Sequence, residues 1–400
     1  MKQKKLNLNI KIILMYTFCF MVIVIIGYLP LWENGLSNIW NVDAIGQYYP
    51  AFLYIGQYIR RFCGDILNGS LSLPLYDLAI GMGEDIIGVL NYYGFGDPLN
   101  LLAVFATVDN GVWWYMIIFF LRIWMAGIMF QAYCKEVKMN SYAAIPASLA
   151  YSFCGFAILG GGRYIEWLSV LIYFPLMLLG TERILKKNYH SLMLVIAVAY
   201  GGLCGFYYLY MSSLCLGIYW IVRLIAFNGM KNVRNLMING LHLVKSYVLG
   251  LFLAAPVFLP AISAYFNSER SVSSVGSILF NFQNYKPIFN DGFYFALLDF
   301  FHYCVSEFNG VLFVELLAVI IVCFVHGKKA LQLKIALCIA FCAFHIPITG
   351  WVFNGFGETN DRWVFWIYFL SALVLAYVLT VFLDVKISID SNEIQIINKS

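Results

Sequence analysis

The sequence predicts an all-α polytopic membrane protein of about ten transmembrane helices, with a large first extracytoplasmic loop that carries interfacial helices. Three observations predict it. The 400 residues are 62% hydrophobic and only 12% charged, with a mean hydropathy of +0.79, whereas a soluble chain carries about 25% charged residues. Apolar runs long enough to cross roughly 30 Å of hydrocarbon recur along the chain. Lys and Arg gather in alternate connecting segments, as the loops of a multi-pass protein require.

The runs place spans at 10–31, 112–133, 142–159, 166–180, 190–207, 209–227, 238–260, 309–325, 330–348 and 363–383. Residues 1–31 are then an N-terminal segment and first span. This span reads as a retained anchor, because it is too long for a signal core and no small-x-small cleavage site follows. Residues 32–111 form the first outer loop, where aromatics alternate with turn signals. Within it, Ala51–Leu67 has apolar residues at helical spacing, with Gln57, Arg60, Arg61 and Asp65 off that face; this predicts a helix lying in the membrane interface. Residues 112–383 form the bundle, with outer loops 261–308 and 349–362. The fifth and sixth spans share one apolar stretch that turns near Gly205-Phe206-Tyr207, and the seventh ends at Pro256 and Pro260. Residues 384–400 read as a short polar tail with no fold of its own.

With the N-terminus placed in the cytoplasm, the inner segments carry 18 Lys and Arg and the outer ones 6. Both termini are therefore expected in the cytoplasm. Fifteen of the 21 acids fall outside, so the outer face is acidic although the whole chain is formally +4. The basic total is a topology signal and implies no nucleic acid. The ten Cys lie mostly inside spans, where a free thiol packs as a small hydrophobe; Cys63 and Cys304 are the clearly outer pair. No metal-type Cys or His spacing is present. Neither is a phosphate-binding glycine loop, a dinucleotide fingerprint or a nucleophile elbow. Arg122 and Glu315 fall inside spans, where a charge is costly unless paired; pairing with each other is one reading.

The stretch Asn41-Val42-Asp43-Ala44-Ile45-Gly46-Gln47-Tyr48-Tyr49-Pro50 follows the first span, and Asp43 is its only charge. Asp43 is either a working carboxylate or a plain loop acid. Gly160-Gly161-Gly162-Arg163-Tyr164-Ile165-Glu166 delivers an Arg and a Glu to the membrane surface on three glycines that permit close approach or positive φ. The plain reading there is a flexible turn with a snorkelling Arg and a helix-start Glu. Ser268-Glu269-Arg270 and Asn360-Asp361-Arg362 add further outer cations. Together these groups have the chemistry to move a sugar from a lipid phosphate to a hydroxyl. Asp43 would be the base for the hydroxyl, Arg163, Arg270 and Arg362 would hold the departing phosphate, and the aromatic cap would stack on sugar rings.

The order of motifs carries a family resemblance. Asp43-x-x-x-Gln47-Tyr48-x-Pro50, the interfacial helix, Leu75-Tyr76, Gly81-Met82-Gly83 and Tyr93 before Asp97-Pro98 resemble the bacterial YfhO-type membrane proteins. Phe206-Tyr207-Tyr208, Ser268-x-Arg270, Asn354-Gly355-Phe356 and Asn360-x-Arg362-Trp363 are similar as well. The resemblance implies a GT-C-like glycosyltransferase in the bacterial cytoplasmic membrane, with its active face extracytoplasmic. Its donor would be a polyprenyl (undecaprenyl) phosphate sugar, and its acceptor a surface polymer or glycolipid such as a teichoic acid. The enzyme that makes the donor and a flippase are implied partners, besides membrane lipids. Asp43 matches the first-loop acid of such enzymes, and Gln47, Tyr48, Arg163, Glu166, Arg270, Asn360 and Arg362 are the candidate substrate contacts. The displacement would invert the anomeric carbon and requires no cofactor, although nearby acids are of the type that binds a divalent metal. Members of the family are often longer, with further spans and an outer domain, which leaves acceptor binding by such a domain open here. Two other readings remain: a transporter or flippase of lipid-linked sugars, which would favour polar residues through the spans, and a non-catalytic envelope assembly protein.

Overall fold

The computed structural model describes residues 2–187, 189, 191–228, 233–267, 313–356, 362–384, 386–390 and 393–397. Helices stand at all ten predicted positions. They are α1 (Lys2–Glu33), α3 (Gly111–Glu136), α4 (Ala144–Ser152), α5 (Leu168–Lys187), α6 (Leu192–Cys204), α7 (Phe206–Asn228), α8 (Val233–Phe266), α9 (Phe313–Phe324), α10 (Lys328–His345) and α11 (Phe365–Asp384). The amphipathic α2 (Tyr49–Leu67) lies in the loop between α1 and α3, the predicted first outer loop. Among the described residues, six stretches are long and apolar enough to cross a membrane: Asn9–Glu33, Gly111–Glu136, Ala144–Arg163, Ile165–Lys186, Met237–Phe266 and Arg362–Asp384. Leu192–Cys204 and Val314–Phe324 are shorter apolar helices. Length and composition thus support six crossings, and ten stays an expectation of the sequence.

The bundle is organised around α5, whose apolar stretch is almost wholly buried, while α1 and α8 leave most of theirs uncovered. Lipid tails are as apolar as these side chains, so such faces need no protein cover. α1 buries one narrow stripe, Ile12, Tyr16, Phe20 and Val24, spaced four apart so that they share a face. The Tyr16 hydroxyl meets Ser152 Oγ at 2.9 Å and donates to the Trp124 carbonyl at 3.0 Å. Small residues set the closest crossings. A Cβ on Gly250 of α8 would meet the Val195 carbonyl of α6 at 2.8 Å, and one on Gly202 of α6 would meet Ala254 Cβ at 2.7 Å. Without a hydrophobic drive between helices in lipid, such backbone approach supplies the packing.

Four expectations are corrected. The third span is not one continuous helix: α4 stops at Ser152, and the chain reaches Arg163 through a π turn at Phe156–Gly160 and the short helix Gly161–Arg163. Gly155 and Gly160–Gly162 weaken regular helix there. The seventh span does not end at its prolines, since α8 continues through Pro256 and Pro260 to Phe266; a proline removes one donor, and a bundle tolerates that loss. The tail is not without structure: β3 (Lys386–Asp390) pairs antiparallel with β4 (Glu393–Ile397), in keeping with the alternation of Ile and polar residues in both. Arg122 does not pair with Glu315. Glu315 accepts from Ser371 Oγ at 2.9 Å, and Arg122 is engaged elsewhere. The predicted hairpin at Gly205 is present, with φ of +153° at Gly205 between α6 and α7. Arg270, Asn360 and Cys304 lie outside the described residues.

One end of the bundle is basic. Glu182 is buried and accepts from Arg223 Nε at 2.6 Å, Arg223 Nη2 at 3.0 Å and the Tyr219 hydroxyl at 2.6 Å. Lys186 and Arg183 pair with Glu136 beside it. The first turn of α5 faces the other end. A helix of 20 residues spans about 30 Å at 1.5 Å per residue, and the candidate site lies at that far end.

Candidate functional site

Asp43 is positioned by a strained turn. Val42 has φ of +69°, an outlier for a β-branched residue, and its carbonyl accepts from Gly46 N at 2.8 Å. The chain then enters a π-helical turn, Ala44–Tyr48, that runs directly into α2. Left-handed backbone costs an L-residue about 1–2 kcal/mol, and such strain concentrates at functional sites. Val42→Gly is therefore expected to stabilise the detergent-solubilised protein by about 0.5–1 kcal/mol after the entropic cost of glycine, read as a raised thermal unfolding temperature. An unchanged or lower midpoint would show the turn to be unstrained.

The Asp43 carboxylate is half-buried and held at both oxygens. Gln47 Nε2 donates to Oδ1 at 3.1 Å, and the Tyr164 hydroxyl donates to Oδ2 at 2.7 Å. Gln47 Oε1 in turn accepts from the Tyr93 hydroxyl at 3.0 Å. Tyr48 packs its ring against the edges of Tyr93 and Tyr164, with centroids 5.0 and 5.4 Å away. Burial, and after it the Asp43 carboxylate, push the Tyr164 phenol up, so it stays protonated and donates. Burial likewise raises Tyr48, with Glu166 adding to the shift and Arg362 opposing it.

Tyr164 begins an aromatic wall. It stacks on Trp167 at 4.0 Å and 20°, and Trp167 meets the edge of Tyr208 at 5.6 Å. The Arg362 guanidinium lies over Trp167 at 5.0 Å and over Tyr207 at 5.8 Å, a cation–π arrangement that holds the charge against the wall. The Tyr207 hydroxyl donates to Asn354 Oδ1 at 2.5 Å. The first outer loop, the turn after α4, the α6–α7 hairpin and the last outer turn thus meet in one surface. Of the predicted contacts, Gln47 and Tyr48 touch this surface with Asp43, and Arg362 stands on its far side. Arg163 instead lies over Trp40 at 5.2 Å. The glycines before it all have negative φ; their use is close approach, since a Cβ on Gly162 would meet Trp40 Nε1 at 2.7 Å. Tyr93, Tyr164, Trp167 and Tyr207 were not among the predicted site residues. Three of them stand within the quoted motifs, which was the available signal.

Glu166 sits beneath the wall, in a buried ion cluster. Arg122 Nη2 donates to Glu166 Oε2 at 2.7 Å, Asp97 Oδ2 at 2.9 Å and Asn100 Oδ1 at 2.9 Å, and Nη1 donates to the Ile165 carbonyl at 3.0 Å. Ser169 Oγ donates to Asp97 at 2.5 Å, and Asn100 Nδ2 to Glu166 Oε1 at 3.0 Å. Asp97 also caps the short helix Pro98–Phe105 through Leu99 N at 2.8 Å. Gly94, at φ +79°, lets the loop close over the cluster, because a Cβ there would lie 2.1 Å from Glu166 Oε2. Glu166 is thereby occupied by Arg122, and its backbone carries Tyr164 and Trp167 on either side. Among the described residues, no three His, Cys, Asp or Glu side chains gather as a metal site requires.

The family described as Bacterial membrane protein YfhO matches residues 15–395, nearly the whole chain. The chain belongs to this family. No curated protein and no solved structure matches it. In this YfhO protein, the motifs that carry the family resemblance become spatial neighbours. Gln47 links Asp43 to Tyr93, Asp97 anchors Arg122, and Tyr207, Asn354 and Arg362 form the opposite side of the wall. Tyr164→Phe removes one of the two donors to Asp43 while keeping the ring stacked on Trp167. Hydrogen bonds to charged groups contribute about 1.5–3 kcal/mol when well shielded. For this half-buried pair we expect a loss of about 1 kcal/mol, measured as a lowered thermal midpoint of the detergent-solubilised protein.

Proposed function

We propose that this YfhO-family protein is a membrane glycosyltransferase that moves a sugar from a polyprenyl phosphate donor to a hydroxyl of an extracytoplasmic acceptor. The observation that supports this reading is the half-buried carboxylate of Asp43, oriented by Gln47 and Tyr164 and joined through the Tyr164–Trp167 stack to the guanidinium of Arg362. A base and a cation at the two ends of an aromatic wall are what an inverting displacement uses. The acceptor O–H gives its proton to Asp43 as its oxygen bonds to the anomeric carbon. The bond from that carbon to the phosphate oxygen breaks, and the polyprenyl phosphate leaves with the electron pair. Negative charge grows on the phosphate in the transition state, where Arg362 would stabilise it. Each Asp43 oxygen accepts one hydrogen bond within the protein and keeps acceptor capacity for the substrate proton. The separation of this surface from the Lys186, Arg183 and Arg223 end favours an extracytoplasmic site, because basic ends face the cytoplasm. A teichoic acid or a related surface polymer fits as the acceptor.

The test is transfer of labelled sugar from undecaprenyl phosphate by protein reconstituted in liposomes, comparing wild type with Asp43→Asn. Transfer by the wild type and its loss in the variant support the reading. Normal transfer by Asp43→Asn removes Asp43 as the base. A wild type that moves lipid-linked sugar between leaflets without forming product would make the protein a flippase.

A further inference from the structure

A cavity lies in the loop between α1 and α3, away from Asp43. It has a volume of about 100 Å³ and is lined by Tyr54, Tyr58, Arg61, Phe62 and Asp65 of α2, with Asp77 of the small hairpin β1 (Tyr76–Asp77) and β2 (Glu84–Asp85) opposite. That volume holds several waters rather than one. The α2 residues Tyr54, Tyr58, Arg61 and Asp65 are spaced at i, i+4, i+7 and i+11, which puts them on one helix face. The walls are fixed from within: the Tyr54 hydroxyl donates to Asp77 Oδ2 at 2.5 Å, the Tyr58 hydroxyl to the Pro74 carbonyl at 2.8 Å, and Ala79 N to Asp77 Oδ1 at 2.9 Å. The Tyr54 hydroxyl and the Ala79 N–H hold the Asp77 carboxyl below its ordinary range, and Arg61 adds to the effect.

Two groups in this cavity make no direct bond within the fold, although Arg61 acts on Asp77 at longer range. Neither the exposed Arg61 guanidinium nor the half-buried Asp65 carboxylate makes a side-chain hydrogen bond or an ion pair within 4.0 Å among the described residues. Arg60, one residue earlier, shows the alternative: its Nη1 is spent on the carbonyls of Val104 and Ala106 at 2.8 and 2.6 Å. A rigid aromatic floor with one free multiple donor and one free acceptor at its mouth matches a ring that is apolar on one face and hydroxylated around its edge. Aromatic faces are electron-rich and favour the C–H face of such a ring, while a few placed polar groups fix its orientation.

We infer that the Tyr54–Asp77 cavity binds a saccharide unit. Tyr58 and Phe62 pack under the ring, and Arg61 and Asp65 hydrogen-bond its hydroxyls. Tyr54 follows Asp43 by eleven residues, about 16 Å along a helix at 1.5 Å per residue. The unit bound here is therefore not the one that reacts. It is a neighbouring unit of the acceptor chain, an assignment that rests on the transferase reading, whereas saccharide binding itself does not.

The experiment is saturation-transfer NMR on the full-length protein in nanodiscs. The probes are glucose, galactose and N-acetylglucosamine, each free and as a short oligosaccharide. Wild type, Asp43→Asn and the double variant Arg61→Gln/Asp65→Asn are compared. Both substituted side chains of the double variant are at the surface and unpaired, so folding is expected to be kept, and an unchanged thermal midpoint checks it. The expected result is binding of at least one probe by wild type and Asp43→Asn alike, weakened about ten-fold or more in the double variant. Equal binding by wild type and double variant overturns the inference, as does the absence of wild-type binding to every probe. In the transfer assay, the double variant is expected to raise the acceptor KM while kcat changes little, whereas Asp43→Asn lowers kcat. Retained probe binding in a protein that transfers no sugar would thus overturn the transferase reading and leave the saccharide site standing.

Discussion

Asp43→Asn is expected to lower sugar transfer by about 10²–10⁴-fold, the usual contribution of a positioned general base. The substitution keeps size, and Asn Oδ1 still accepts from Tyr164 or Gln47, so the turn at Val42–Tyr48 has no reason to rearrange. What is lost is the proton acceptor. Donor binding, which the reading assigns to the Arg362 side of the wall, should be largely kept. The fall therefore belongs in kcat, with the donor KM little changed. Steady-state kinetics in liposomes with labelled undecaprenyl-phosphate sugar measure both. A variant that loses donor affinity in proportion to its rate would place Asp43 in binding rather than in proton transfer.

Arg122→Met is expected to destabilise the protein by about 3–5 kcal/mol, the cost of stranding buried partners of a deleted charge. Arg122 is fully buried, and its guanidinium is shared between Asp97 and Glu166, whose side chains are 0% and 7% exposed. Removing it leaves two buried carboxylates that shared one guanidinium nitrogen with no cation between them. The loss should spread to the surface above. Arg122 also donates to the Ile165 carbonyl, so the segment that carries Tyr164 and Trp167 loses its internal hold on both strands of contact. A lowered thermal midpoint in detergent and a changed Trp emission are the measurements. The triple variant Arg122→Met/Asp97→Asn/Glu166→Gln should recover part of the midpoint, because the stranded charges are gone. If the single and triple variants unfold at the same temperature, electrostatics is not what the cluster contributes.

Much of the architecture was legible in the chain. Apolar runs located helices at all ten positions, the helical spacing of Ala51–Leu67 located α2, and Gly205 marked a hairpin. Asp43 and Gln47 were also readable as a pair, since they are four residues apart on one helical turn. The partner that orients Asp43 was not, because Tyr164 is 121 residues away and joins it only when the turn after α4 folds against the first outer loop. The tail hairpin was missed for a different reason. Strands of five residues offer few periods to read, and polar residues at their ends resemble a solvated tail.

The acids show most clearly where the two levels divide. Composition and run length by themselves determined a helical membrane protein with an acid soon after its first apolar helix, because solvation by lipid or water acts on each segment by residue type. In sequence, Asp43, Asp97 and Glu166 are equivalent outer carboxylates. Only the tertiary structure decided that Arg122 pairs with Asp97 and Glu166 in the interior while Asp43 keeps acceptor capacity at one end of an aromatic wall. A carboxylate's role follows from its distance to charges and its access to water, and both are set by segments that meet in space from far apart in the chain.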